Sequence, residues 1–358
     1  MSIPRKKTDN FWLKLNKPIL ALAPMAGITD SAFRQICHQY GADVVYTEMI
    51  SADGLYYDSK KTLAMLKFSK SERPIVIQLF GKDPSKFTKA AQLAEEAGMS
   101  GVDINFGCPA KKVAGHGGGV TLMRDLPKCK QIIEATLAGT KLPVSVKLRS
   151  SINLPLAPSF VRRENNSKLI PPPYEGGGKE GVKIVTALDF LKFMDGLPLA
   201  AVMIHGRPYE NPFAAEIDYA MIKDCVKYLK RKSPATIVLA NGGINQPADA
   251  KKMLELTGAD GLGLARGLYG RPWLFKQGRD YLKTGKYAEF DQKKIKQAII
   301  YHAQVAFGAK EAYGLIELRK HLLWYVSGWP KAKELRSRLV RVENLDDIKK
   351  IFDDKKTA

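Results

Sequence analysis

Eight short apolar runs recur along the chain, and the stretches between them carry helical periodicity. The runs are ILALA (19–23), DVVYTE (43–48), PIVIQLF (74–80), GVDINF (101–106), LPVSVKL (142–148), LAAVMIHG (199–206), ATIVLANG (235–242) and ADGLGLA (259–265). Most are apolar at consecutive positions rather than alternating, as strands covered on both faces require, and strands that alternate with helices read as a parallel sheet. Eight such units predict an α/β fold of the (β/α)8 TIM-barrel type, with a doubly wound open sheet as the other topology. Helices are expected over 83–98 and 245–258, the second with Asn245 as its N-cap and Pro247 in its first turn.

Two segments depart from the rhythm. Residues 150–183 contain PPP and GGG runs and read as a long loop inserted after the fifth strand. From Asp291 onward the pattern is helical, with breaks at Gly328 and Pro330, and no strand returns. The expected division is therefore a barrel over 1–285, with the insertion, and a helical domain over 286–358.

Charge narrows the partners. Lys and Arg total 57 against 36 Asp and Glu, a net of +21. Dense fixed negative charge attracts such a surface, and with no basic amphipathic helix bearing a bulky aromatic face, nucleic acid is favoured over membrane. No apolar run approaches the roughly 18 residues that a bilayer span needs. MSIPRKKTDNFW lacks the apolar core of a secretory signal. Cys37, Cys108, Cys129 and Cys225 form no CxxC pair and no metal-ligand spacing, which fits free thiols in a reducing cytoplasm and no bound metal. Nothing in the sequence calls for an obligate protein partner.

In a barrel of this kind the working face is built from the C-terminal ends of the strands. Those ends carry Pro24, Met25 and Ala26 after the first run, Gln78 in the third, and Asn105 and Cys108 at the fourth. The fifth supplies Lys147 with Arg149, the sixth His205 with Arg207, the seventh Asn241, Gly242 and Gly243, and the eighth Ala265 and Arg266. Small residues after the last two strands let backbone N–H groups approach a phosphate, and Arg266 can add a charge-assisted bond. With no GxGxxG fingerprint after a strand, FMN is the phosphorylated cofactor expected. Gln78 suits the pyrimidine edge of a flavin and Lys147 the edge that becomes anionic on reduction. His205 suits either the phosphate or a carbonyl of the rim. Cys108 stands on a Gly-Cys-Pro turn, where exposure would let a mostly protonated thiol donate a proton.

The motifs LAPMAGITDSAFR, IQLFGKDP, VDINFGCPAKKV, PVSVKLR, IHGR, ANGGI, TGADGLGLARGLYGRPWLF and RKHLLWYVSGWP together resemble the tRNA-dihydrouridine synthases over nearly the whole chain. That resemblance implies an N-terminal FMN barrel, NADPH as reductant, and a C-terminal helical domain that holds tRNA. It implies hydride transfer from reduced flavin to C6 of a uridine, with Cys108 protonating C5. It also implies flavin contacts from Pro24, Met25, Ala26, Gln78, Lys147, Asn241, Gly242, Gly243, Ala265 and Arg266, with Asn105 close to flavin and substrate. Arg319 and Lys320, with Arg336, Arg338 and Arg341, are the expected RNA contacts, pointing outward while Leu322, Leu323 and Val326 pack inward. The sequence departs from the family pattern in its long loop, in Gly243 where an acidic residue is common, and in Ala265 where glycine is usual. The competing functions are a small-molecule flavin barrel of the dihydroorotate dehydrogenase type and a non-catalytic RNA-binding barrel. The basic helical segment argues against the first; Cys108 and Lys147 argue against the second.

Overall fold

The computed structural model describes residues 10–110, 118–154 and 183–353. All eight runs form strands: β1 (Ile19–Leu22), β2 (Val44–Ser51), β3 (Ile75–Phe80), β4 (Gly101–Phe106) and β5 (Val144–Arg149) come first. A short antiparallel pair, β6 (Ser151–Asn153) with β7 (Ile184–Thr186), follows, and then β8 (Ala201–His205), β9 (Ile237–Asn241) and β10 (Gly261–Leu264). The barrel closes in the order β1-β10-β9-β8-β5-β4-β3-β2, and β1 pairs in parallel with both β10 and β2. This is the expected TIM barrel, not an open sheet.

Both faces of each strand are covered, for different reasons. In β1, Ile19 and Ala21 belong to a cluster with Val44, Tyr46, Val76, Met203, Ile237 and Leu239, while Leu20 and Leu22 pack with residues of the surrounding helices. Trp12, on the turn Phe11–Lys14, joins the first cluster and is 1% exposed.

The long loop expected at 150–183 is corrected at its ends. Ser151–Asn153 is a strand, and Leu154 N–H donates to Lys183 O at 2.7 Å. Residues 155–182, with the PPP and GGG runs, lie outside the described residues, as does most of AGHGGG (114–119). The helix expected at 245–258 runs Pro247–Thr257. Its N-cap is Gln246 rather than Asn245, because Asp249 Oδ2 accepts from the N–H groups of both residues, at 3.0 and 2.9 Å.

After the helix Leu274–Thr284 the rest of the described chain is helical: Gln292–Tyr325, Ala332–Leu339 and Leu345–Asp353. The breaks at Gly328 and Pro330 fall between the first two. A further break is new. Lys310 and Glu311 have non-helical backbone angles, and there the chain doubles back. In one straight helix, His302 and His321 would stand roughly 28 Å apart at 1.5 Å per residue; their ring centroids are 5.0 Å apart. Gly314 permits the close crossing, since a Cβ there would sit 2.0 Å from Ala306 O.

This helical segment has its own apolar cluster, built from Ile299, Ala303, Leu315, Leu322, Val326, Leu335, Leu339 and Ile348. It meets the barrel helix Ser31–Gln39 through aromatic contacts. Phe33 stacks on His321 at 4.6 Å, and Tyr40 just after that helix meets Phe290 edge-on at 5.7 Å. Burial holds His302 near a pKa of about 4 and pushes His321 well below its ordinary value. A histidine depressed on folding contributes stability that is complete above its unfolded pKa and is lost as pH falls toward its folded one. Between pH 7.5 and 5, His302 alone is therefore expected to remove about 2 kcal/mol of unfolding free energy. Urea titrations at both pH values check this, and His302→Gln should shrink the difference by about that amount, leaving the share that His321 contributes.

One buried ion pair holds the segment after β1. Arg34 Nε donates to Glu72 Oε2 at 2.5 Å, and Arg34 NH1 donates to Thr29 O at 2.6 Å. Glu72 also accepts from Ser31 Oγ at 2.6 Å and from the Ser69 N–H at 2.7 Å. Removing one partner strands a buried charge, so Glu72→Ala is expected to cost about 3–5 kcal/mol in denaturant unfolding.

Candidate active site

Barrel register sets the polar residues of the mouth side by side. Gln78 pairs with Asp103 and Asp103 with Ser145; one step up, Asn105 pairs with Lys147. Above them Arg149 pairs with His205, and His205 with Asn241. Gln78, Asn105, Cys108, Lys147, His205 and Asn241 are thus brought to one end of the barrel, as expected.

Around Cys108 the side chains form a continuous chain of hydrogen bonds. The N–H groups of Gly107 and Cys108 donate to Asn105 Oδ1 at 3.0 and 2.8 Å. Asn105 Nδ2 donates to Gln78 Oε1 at 2.7 Å, and Gln78 Nε2 donates to Asp103 Oδ2 at 2.7 Å. The thiol at the end of this strand is thus on a turn that is held, not left loose. Cys108 is more enclosed than its exposed-turn expectation, at 9% of its surface. Burial raises its pKa, against smaller lowering effects from the Ala110 backbone and the cations Lys147 and Arg149, so the thiol stays protonated near neutral pH.

Two cations face this turn. Burial lowers Lys147 to about 8, with Arg149 pushing the same way and Asp103 and Cys108 opposing. Arg149, which its strand-end position alone does not mark as a site residue, is 3% exposed. Its Nε donates to Gly107 O at 2.8 Å, bracing the thiol turn from the opposite side.

Farther round the mouth, His205, Asn241, Gly242, Gly243, Ala265 and Arg266 line a single cleft together with Arg207. Asn241 Nδ2 donates to Gly263 O at 2.6 Å, tying β9 to β10 beneath it. Gly242 has φ +114, and a Cβ there would stand 2.7 Å from His205 Cδ2, so only glycine fits. Among the described residues, no acceptor partners the N–H groups of Gly242, Gly243, Ala265 or Arg266. Those free donors, beside the guanidinium groups of Arg207 and Arg266, suit a phosphate monoester. His205 is neutral, lowered to about 2 by burial and then by the neighbouring cations, so it serves as a hydrogen-bonding group and not as a charge.

Pro24, Met25 and Ala26 lie on the turn after β1. Met25 O accepts from the N–H groups of Ile28 and Thr29 at 3.1 and 3.0 Å, and Glu48 accepts from the Gly27 N–H.

A family model described as dihydrouridine synthase (Dus) matches residues 21–157 and 185–357. The chain belongs to the tRNA-dihydrouridine synthase family. It is 31% identical over 329 residues to tRNA-dihydrouridine synthase B of Pseudomonas aeruginosa, covering 91% of this chain and 89% of that one. A probable tRNA-dihydrouridine synthase of Rickettsia conorii is 32% identical over 333 residues, covering 92% and 90%. Among solved structures, 2-naphthoyl-CoA reductase in complex with 2-naphthoyl-CoA shares the barrel at a TM-score of 0.50 and 11% identity, over 75% of this chain and 50% of that one. Family membership makes the protein an enzyme, which sets aside a non-catalytic barrel. No described helix is long and apolar enough to cross a membrane, and no cluster of metal-ligating side chains occurs among the described residues.

The expected RNA contacts of the helical segment are less free than a charged helix face suggests. Arg319 Nε and NH2 both donate to Val342 O, at 3.2 and 2.8 Å, and Arg336 Nε donates to Leu323 O at 3.3 Å. Lys320 stands 3.8 Å from Asp30 of the barrel. The expectation of wholly outward basic side chains is therefore corrected for these three: helix ends and turns leave carbonyls without backbone partners, which the Arg319 and Arg336 guanidinium groups satisfy, while Lys320 is drawn to a carboxylate. Arg338 is half-buried, and Arg341 is exposed.

Proposed function

We propose that this protein reduces uridine in tRNA to 5,6-dihydrouridine, with FMN held in the barrel mouth and NADPH as the reductant. The reading rests above all on one juxtaposition: a protonated thiol braced at the end of β4 shares the barrel mouth with a cleft of unpartnered backbone N–H groups. Gly242, Gly243, Ala265 and Arg266 would hold the FMN phosphate, with His205 and Asn241 beside them. Pro24, Met25, Ala26, Gln78, Asn105 and Lys147 would line the ring. Bound FMN would supply hydride chemistry toward C6 of the uracil, with NADPH as the source of electrons.

The chain's own residues do the rest. Cys108 Sγ–H gives its proton to C5, completing addition across the C5–C6 bond, and the thiolate left behind is stabilised by Lys147 and Arg149 before it is reprotonated from solvent. Lys147, at about 8, is mainly cationic at neutral pH and loses that charge as pH rises through 8. A uridine reaches this depth only after leaving its stack, so the RNA must be gripped outside the pocket. Arg341, with the remaining donors of Arg319, Lys320, Arg336 and Arg338, is assigned that grip, and the overall charge of +21 supports it. The setting is the cytoplasm, where tRNA and reduced thiols coexist.

Purified protein should be yellow, and acid or heat should release FMN. Finding FAD, or no flavin after reconstitution, would overturn the cofactor assignment.

A further inference from the structure

A carboxylate in the barrel interior ends the hydrogen-bond chain that begins at the thiol. Asp103 is fully buried in β4, with Oδ2 accepting from Gln78 Nε2 and Oδ1 accepting from Ser145 Oγ, each at 2.7 Å. Every bond between it and Cys108 runs the same way: the Gly107 and Cys108 N–H groups to Asn105, Asn105 to Gln78, and Gln78 to Asp103. Backbone N–H groups can only donate, and an ionised carboxylate can only accept. The two ends therefore agree on one orientation for the two amides between them, although each amide would otherwise fit either way round.

We infer that Asp103 is a positioning residue, which fixes the Gln78 and Asn105 amides in one direction and through them holds the Cys108 turn closed. Ser145 is its safeguard. Its hydroxyl donates to Asp103 here but can also accept, with Val102 O 3.5 Å away as another acceptor for its proton. A neutral group at 103, such as the amide of Asp103→Asn, keeps the chain intact as long as its oxygen faces Gln78 Nε2 and its donating end faces Ser145. Without Ser145 that donor is left unpaired, or it turns on Gln78 Nε2 and sets donor against donor along the chain.

The effect at position 103 is thus conditional on position 145, and a packing role would not make it so. The consequence for catalysis rests on the proposed role of Cys108, but the positioning claim can be read without flavin, NADPH or RNA. The readout is the pH profile of Cys108 alkylation by iodoacetamide, followed by peptide mass spectrometry in the full-length protein. Cys37, Cys129 and Cys225 are fully buried and serve as internal controls for folding.

Ser145→Ala should stay close to the wild-type profile, and Asp103→Asn should move it only through the lost carboxylate that supports the charge of Lys147, an effect the double variant shares. The double variant should open the turn, exposing the thiol to water, bringing its pKa back down and speeding alkylation at neutral pH on the order of tenfold beyond the two single effects combined. If the double variant does not fold, Gln78→Met breaks the chain without burying a new donor and should shift the profile the same way. Wild-type Cys108 profiles in the double variant, or in Gln78→Met where that replaces it, would overturn the inference. A failed tRNA assay with these shifts present would count against the proposed function instead.

Discussion

Cys108→Ala protein is expected to bind flavin and oxidise NADPH as the wild type does, while forming dihydrouridine on unmodified tRNA about 10²–10⁴-fold more slowly. The magnitude is that of a lost general acid. The selectivity follows from placement: the thiol sits on the β4 turn, whereas the donors assigned to the cofactor phosphate lie after β9 and β10. The thiol is also suited to give a proton rather than to attack, because burial raises its pKa and keeps it protonated. Single-turnover assays that follow NADPH oxidation and dihydrouridine separately check this. An unchanged rate of dihydrouridine formation would assign the proton to another group.

Gly242→Val is expected to give protein that folds but is nearly colourless. The glycine lies at φ +114, where a β-branched residue is strained, and its Cβ would press on His205. Its own N–H is one of the four donors available to a phosphate. Losing the cleft should lower flavin occupancy at least about tenfold, since charge-assisted hydrogen bonds each contribute roughly 1.5–3 kcal/mol. Absorbance near the flavin maximum and a thermal melt of the same sample separate lost binding from lost folding. Full flavin occupancy in a folded variant would move the phosphate elsewhere.

Much of this architecture was legible in the sequence because a parallel barrel buries both faces of every strand. Continuous apolar runs then stand out, and polar residues at their ends mark the mouth. Asp103 was harder to see, since one acidic residue in GVDINF looks like a tolerated exception until Gln78 and Ser145 are seen to converge on it from neighbouring strands. The Arg34–Glu72 pair joins residues 38 apart and leaves no local pattern. At Lys310 and Glu311 helical periodicity runs on through FGAKEAYG, so the reversal leaves no break in the pattern. Arg319 and Arg336 show the limit of charge counting, because composition does not reveal which guanidinium groups are tethered to carbonyls.

The most direct test of the central claim is dihydrouridine formation on an unmodified tRNA transcript by the purified, flavin-loaded protein with NADPH, mapped to single nucleotides. Dihydrouridine at one or a few defined positions, dependent on both NADPH and Cys108, is the predicted result. Turnover of dihydroorotate or another free pyrimidine, with no dihydrouridine in the tRNA, would contradict it.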